Sequence, residues 1–262
     1  MKPAPSRLEA LPLDGGQAEV LLAREPDARF AVHWHAEWSV GAIETGHCDF
    51  SCAGLRHHAT AGDIVVMAPG TIHTAGVSVQ GFAMRMLYLP AGWVRAALAW
   101  PAGQRPAAVQ TARHAPALAA ALCDAVDRRD AAALQPLIVQ ALQLGVSGPL
   151  VADEAGTARD PRVQRLCHEL AQLDAAELDL GALAQRVGVS REHLHRLFRE
   201  AVGLSPREYS RCARIHQAKR MLGQGRAIAD TAQACGFADQ AHFSRWFKRL
   251  FGVTPTAYLP RG

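Results

Sequence analysis

The residues best suited to chemistry in the first half of the chain are histidines. His33 and His35 stand two apart in Ala31-Val-His-Trp-His-Ala-Glu-Trp38, with Glu37 two further on and His73 much later. Alternate side chains of an extended strand share a face, so one strand over this stretch would line up His33, His35 and Glu37. Imidazole and carboxylate donors together suit zinc, iron or nickel. His33, His35, Glu37 and His73 are therefore a candidate divalent-metal set. The same histidines can instead bond an organic ligand, with Trp38 and Arg85 as candidate neighbours. His57-His58 falls in a predicted turn and is expected to face solvent.

A second group of candidates lies near the C-terminus. Arg191, Glu192, His195, Arg196 and Arg199 share one predicted helix face; Gln240, Ala241, His242, Ser244, Arg245 and Lys248 share another. Arginine can pair bidentately with guanine, glutamine with adenine, and a carboxylate such as Glu192 can accept from cytosine. Arg199 and Lys248 lie nearly a turn further along, where phosphate contact is expected. Neither a Gly-rich phosphate loop nor a Gly-x-Ser-x-Gly elbow is present, so hydrolase chemistry has no support and the chain is not expected to be an enzyme.

The elements that must carry these residues differ between the two halves. From Ala18 to Leu89 the pattern is of short strands, clearest at Asp63 to Met67 and Phe82 to Leu89, broken by Thr45-Gly46 and Pro69-Gly70. That spacing predicts a sandwich or barrel. Pro116 to Arg128 and Ala131 to Leu144 read as helices, and the remainder after Pro161 is helical throughout. The fold class expected is α+β and multidomain. A β-barrel occupies 1–108, a helical segment 109–148, a polar linker 149–161, and an all-α domain 162–262.

Charge follows the same division. Of the net +4, residues 161–262 carry +7 and residues 1–160 carry −3, so the C-terminal part is the one expected to meet a polyanion. The six cysteines show no CxxC pair and are expected to be reduced thiols. No apolar run is long enough to span a bilayer, and Met1 to Leu13 lacks a signal-peptide core, so a cytoplasmic protein without membrane partners is expected.

The C-terminal domain contains an internal repeat. Ala184-Gln185 and Gly188 recur 48 positions later as Ala232-Gln233 and Gly236. Leu194, Arg196, Phe198, Gly203, Pro206 and Tyr209 recur 49 later as Phe243, Arg245, Phe247, Gly252, Pro255 and Tyr258. Each copy reads as helix, tight turn, helix, with Ser190 and Asp239 as N-caps of the second helices. Leu194, Leu197, Phe198 and Ala201 in one copy, and Phe243, Trp246, Phe247 and Leu250 in the other, form apolar stripes expected to face a core. Between them Ser205-Pro206-Arg207-Glu208 is a capping box opening a helix that should end near Gly223.

These motifs resemble the arabinose-regulator (AraC/XylS) family of bacterial transcription regulators. They are Leu183-Ala184-Gln185-Arg186-Val187-Gly188-Val189-Ser190, Leu194-His195-Arg196-Leu197-Phe198-Arg199 and Gly203-Leu204-Ser205-Pro206. The second copy adds Ala234-Cys235-Gly236-Phe237, Phe243-Ser244-Arg245-Trp246-Phe247-Lys248 and Gly252-Val253-Thr254-Pro255. The resemblance implies base and phosphate contacts at Glu192, His195 and Arg196, and at Gln240, Ala241, His242, Ser244 and Arg245. His33-Trp34-His35, Glu44-Thr45-Gly46, Gly62-Asp63 and Pro69-Gly70-Thr71-Ile72-His73 resemble that family's cupin-like sensor domain. The implied function is a ligand-responsive, homodimeric regulator, activator or repressor, that binds double-stranded promoter DNA and meets RNA polymerase, with the 109–148 helices joining two copies. The alternative is a metal-binding cupin sensor, or a metal-dependent cupin enzyme, fused to a DNA-binding module. Cupin enzymes place an acid near the positions of Ser39 or Val40, where this chain has none.

Overall fold

A computed structural model of the chain describes residues 6–23, 29–52, 54–77, 82–152, 161–172 and 179–259. Two compact units separate, residues 1–30 with 34–154, and residues 155–262 with 31–33.

The N-terminal half holds β1 (Arg7–Leu13), β2 (Gly16–Ala23), β3 (Arg29–His33), β4 (Trp38–Thr45), β5 (His47–Cys52), β6 (Leu55–Thr60), β7 (Asp63–Met67), β8 (His73–Val77) and β9 (Ala83–Leu89). There follow α1 (Ala91–Ala97), β10 (Gln104–Val109), β11 (Ala112–His114), α2 (Pro116–Asp127), α3 (Ala131–Gly145) and β12 (Val146–Ala152). Six strands form one sheet in the order β1-β2-β9-β4-β7-β11, four form a second in the order β3-β8-β5-β6, and β10 pairs with β12.

The inner strands β9, β4 and β7 of the six-stranded sheet are buried on both faces, and strand alternation sorts their residues. One face carries Val20, Leu22, Trp38, Val40, Ala42, Ile64, Val66, Leu87 and Leu89. It packs in a single core with Leu118, Leu122 and Val126 of α2 and Leu134, Ile138 and Leu142 of α3. The other face carries Leu21, Ser39, Ile43, Val65, Met67, Met84, Met86 and Tyr88, all buried. Helix α3 approaches β7 so closely that a Cβ on Gly145 would stand 2.5 Å from Val66 Cγ2. Glycine there is a packing requirement.

Three expectations are corrected here. Ala31 to Trp38 is not one strand: β3 stops at His33, the chain bends at Ala36 and Glu37, and β4 begins at Trp38 in the other sheet. His57 and His58 lie on β6, not in a turn; His57 stacks on Phe50 and His58 bonds Asp49 at 2.7 Å. The segment expected as linker from residue 149 starts inside β12; residues 153–160 lie outside the described residues.

The C-terminal unit consists of α4 (Pro161–Gln172), α5 (Leu180–Arg186), α6 (Arg191–Val202), α7 (Pro206–Gly223), α8 (Ile228–Ala234), α9 (Gln240–Phe251) and α10 (Pro255–Tyr258). The sequence repeat is a structural repeat in detail. Gly188 and Gly236 turn at φ 71° and 67°, and Gly203 and Gly252 end α6 and α9 in the left-handed region. Ser190 and Asp239 cap α6 and α9 through His193 N and His242 N. Ser205 and Thr254 cap α7 and α10, and Ser205 with Glu208 completes the capping box. Even the ring pairs recur: Phe198 with Tyr209 and Phe247 with Tyr258, both at 5.6 Å. Among the described residues, no helix is long and apolar enough to cross a membrane.

Candidate nucleic-acid interface and ligand site

In each repeat an apolar stripe anchors the second helix and leaves its other side outward. Leu194, Phe198 and Val202 bury α6; Phe243, Phe247, Leu250 and Phe251 bury α9. Arg191, Glu192, Arg196 and Arg199 are exposed on α6, with His195 half-buried beside them. Gln240, Ala241, Arg245 and Lys248 are exposed on α9, with Ser244 half-buried. Hydrogen bonds from its own backbone N–H and from the Ser190 hydroxyl hold Glu192 below the usual carboxylate range, so an anion sits at the N-terminal end of α6. Arg199 pairs with Glu208 at 3.3 Å.

Two residues of α9 depart from expectation. His242 is half-buried, and its Nε2 accepts from the Trp246 indole N–H at 3.1 Å, so this nitrogen is engaged within α9. Trp246, expected in the core stripe, is only half-buried, with two guanidinium groups over its ring, Arg211 at 4.2 Å and Arg249 at 5.1 Å from its centre. Arg211 belongs to α7. Three residues on, Arg214 donates to the carbonyls of Cys235 and Gly236 at 3.0 and 3.1 Å, at the C-terminal end of α8. Helix α7 thus fastens the turn and the outer helix of the second repeat. The sequence signal was present in Arg211 and Arg214 at i, i+3, but nothing local distinguishes them from a solvated basic face.

In the β-rich half, His33, His35 and His73 come together, their ligating nitrogens all within 4.8 Å of one another. The three are 2%, 4% and 8% exposed. Strand β3 lies next to β8 in the four-stranded sheet, which brings His33 beside His73. His33 Nδ1 stands 2.7 Å from the Ala31 carbonyl, and His73 Nδ1 2.8 Å from that of Thr71. A carbonyl only accepts, so in both rings Nδ1 is the nitrogen that donates to it. Burial lowers the His73 pKa against the opposing pull of the Thr71 carbonyl, which favours the neutral ring. The His35 ring lies 5.2 Å from His73 and 4.6 Å from Tyr88. Burial first, then the charges of Glu19 and Glu37, push Tyr88 well above its ordinary value, so its hydroxyl stays protonated.

The remaining candidates do not join this cluster. Glu37 sits in the bend after His35, where the alternation that would align it with the histidines has ended. Trp38 is on the helix-facing side of β4, its ring 5.7 Å from Trp100. Arg85 shares a strand face with Leu87 and Leu89, also toward the helices. There it is fully buried, donating to both oxygens of Asp127 on α2 at 3.0 and 2.6 Å and to Glu44 at 2.6 Å. Burial opposes its charge, yet the two carboxylates outweigh that and raise its pKa. Trp38 and Arg85 are structural residues of the sheet–helix core.

Comparison with known proteins agrees with both halves. Residues 16–145 match the family described as an AraC-like ligand binding domain, and residues 183–261 match a helix-turn-helix domain family. The HTH-type transcriptional activator RhaS of Klebsiella pneumoniae is 32% identical over 148 residues, 56% of this chain and 52% of that protein. The HTH-type transcriptional regulator GlxA of Rhizobium meliloti is 47% identical over 79 residues, 30% of this chain and 24% of that one. The chain thus spans about half or less of the length of these relatives. Among solved structures, ToxT of Vibrio cholerae superposes with a TM-score of 0.58 at 13% identity, covering 92% of this chain and 96% of that one, a likeness of fold. With a ligand-binding domain of that type before a duplicated helix-turn-helix unit, the chain belongs to the AraC family of transcription regulators.

Proposed function

We propose that this chain is a ligand-responsive, sequence-specific DNA-binding regulator acting at promoters, with α6 and α9 entering the major groove of one duplex. The observation that carries the reading is the repeated outward face, Arg191, Arg196 and Arg199 on α6 and Gln240, Arg245 and Lys248 on α9, each set by the same caps and turns. Arg196, His195 and Glu192 are the base-reading candidates of the first helix; Gln240, Ala241, Ser244 and Arg245 those of the second. His242 acts with Trp246 to hold the α9 flank. The effector occupies the space beside His35, His73 and Tyr88 and shifts the population between states of different DNA affinity. The chain is not an enzyme in this reading and works in the cytoplasm. It pairs as a homodimer through the sides of α2 and α3 that the sheet does not cover, and contacts RNA polymerase.

The test uses duplex selected from a random library by the full chain. Arg196→Ala and Arg245→Ala should each weaken binding of that duplex by about 1–3 kcal/mol, measured by fluorescence anisotropy. Unchanged affinity in both variants would remove these helices from the interface.

A further inference from the structure

We propose that Arg211 and Arg249, stacked on Trp246, form a phosphate-binding ledge beside α9 and grip the DNA strand across the groove from the one Lys248 meets; the proposal rests on the reading that α9 enters a major groove.

The cations of α9 do not form a single row. Arg245 stands i, i+3 from Lys248 and i, i+4 from Arg249, so at 3.6 residues per turn it has one of them on either side. A helix with its side chains is about 10–12 Å across and the major groove is about 12 Å wide, so both flanks of a helix lying there face phosphates, one flank to each strand. Lys248 covers one flank. Arg249 covers the other, joined by Arg211 of α7. Their guanidinium carbons lie 5.1 and 4.2 Å from the centre of the Trp246 ring. An indole face holds a guanidinium by its π cloud, while the N–H groups lie in the guanidinium plane and remain available to phosphate oxygens. The ring itself is fixed, because its N–H donates to His242 Nε2 one turn back at 3.1 Å. Two long side chains held in place beforehand lose less entropy on meeting a ligand.

Charge balance points the same way. Among the described residues neither arginine has an ion-pair partner. The carboxylate whose charge Arg211 does feel, Glu208, is already bonded by Ser205 and Arg199. Helix α9 holds Arg245, Lys248 and Arg249 and no acid, a self-repulsion that a polyanion relieves. The first repeat supplies the contrast. At the same offset of 49, half-buried Leu197 corresponds to Trp246 and exposed Glu200 to Arg249. Leucine offers a guanidinium no π face, and a carboxylate repels phosphate, so α6 has no such ledge. The grip on the DNA backbone is therefore unequal, stronger at the second repeat. Because the ledge continues the outward face of α9, the anion it meets is the phosphate of the same duplex.

The full chain is titrated with its selected duplex and with a scrambled duplex of equal length, across a salt series, by fluorescence anisotropy. Arg211→Gln and Arg249→Gln should each weaken both duplexes by the same factor, about three- to tenfold, and lower the salt slope by about 0.9, the value for one phosphate. Trp246→Leu should weaken both duplexes and add little when combined with Arg249→Gln. Arg56→Gln, exposed on β6, removes the same charge and should change neither affinity nor slope. Phosphate-ethylation interference on the selected duplex should lose sites on opposite strands in Arg249→Gln and Lys248→Ala. Native affinity and slope in both arginine variants overturn the ledge, as do interference sites on one strand. Native DNA affinity together with lost transcription from a promoter carrying the selected site also overturns it, and assigns the patch to an acidic protein partner. If Trp246→Leu does not fold, the two arginine variants decide. A native chain that selects no duplex overturns the regulator reading and the ledge with it. Loss of affinity in the Arg196 and Arg245 variants but not in the Arg211 and Arg249 variants leaves that reading standing and overturns the ledge alone.

Discussion

Arg85 is a buried guanidinium whose two carboxylate partners, Glu44 and Asp127, remain about two-fifths exposed at their side chains. That asymmetry sets the consequences of mutation. Removing the arginine frees two carboxylates that water can reach, whereas removing Asp127 leaves a fully buried cation with one partner. Asp127→Ala should therefore destabilise the chain by about 2–5 kcal/mol, and Arg85→Leu by clearly less, in urea unfolding. Equal losses would contradict that asymmetry. The sequence drew Arg85 and Trp38 toward the histidines for a physical reason. Trp38 to Ile43 is buried on both faces, so its apolar run carries no alternation to say which side holds the ligand. His33, His35 and His73 were legible by type and spacing; Glu37 was misplaced because a two-residue bend keeps the same polar–apolar rhythm as a strand.

At the scale of elements, close approach and capping give the sharpest expectations. Gly145→Ala forces a methyl into Val66, and should cost about 1–3 kcal/mol, partly restored by Val66→Ala beside it. In the capping box of α7, burial opposes ionisation of Glu208. The Ser205 hydroxyl and backbone N–H, with Arg199 and Arg211, outweigh it and hold the carboxyl below its ordinary 4.5. A depressed carboxyl stabilises above its unfolded value and loses that contribution as pH falls through the folded one. Glu208→Gln should thus cost about 1 kcal/mol near neutrality and progressively less below pH 4.5, followed by thermal unfolding across pH. A cost independent of pH would leave only the lost geometry. In the helical half α6, α7 and α9 were legible because their boundaries have local causes, a serine or aspartate cap, a proline at the first position of α7, a glycine at the end, whereas α8 starts at Ala227 with no side-chain cap. The β-rich half was less so. Its strands β5 and β6 form a local hairpin, short and polar on one face, and β5 also pairs with β8, which lies beyond β7 in sequence.

For the whole molecule, charge and repetition point to the same partner. The +7 balance lies after residue 160, where both outer helices are, against −3 before it. Affinity for DNA should fall steeply with salt, and Lys248→Ala should weaken all sequences alike while reducing the salt slope by about 1. Helix α7, 18 residues long, spans about 27 Å at 1.5 Å per residue and links the two repeats. Two reading helices joined by such a connector suit two major-groove segments one turn apart. The most direct measurement is therefore duplex selection carried out in parallel with the native chain, Arg196→Ala and Arg245→Ala. The account predicts two blocks of preferred bases about 10 base pairs apart, one relaxed by each variant and the other kept. A single block, or identical preferences in all three proteins, would contradict it.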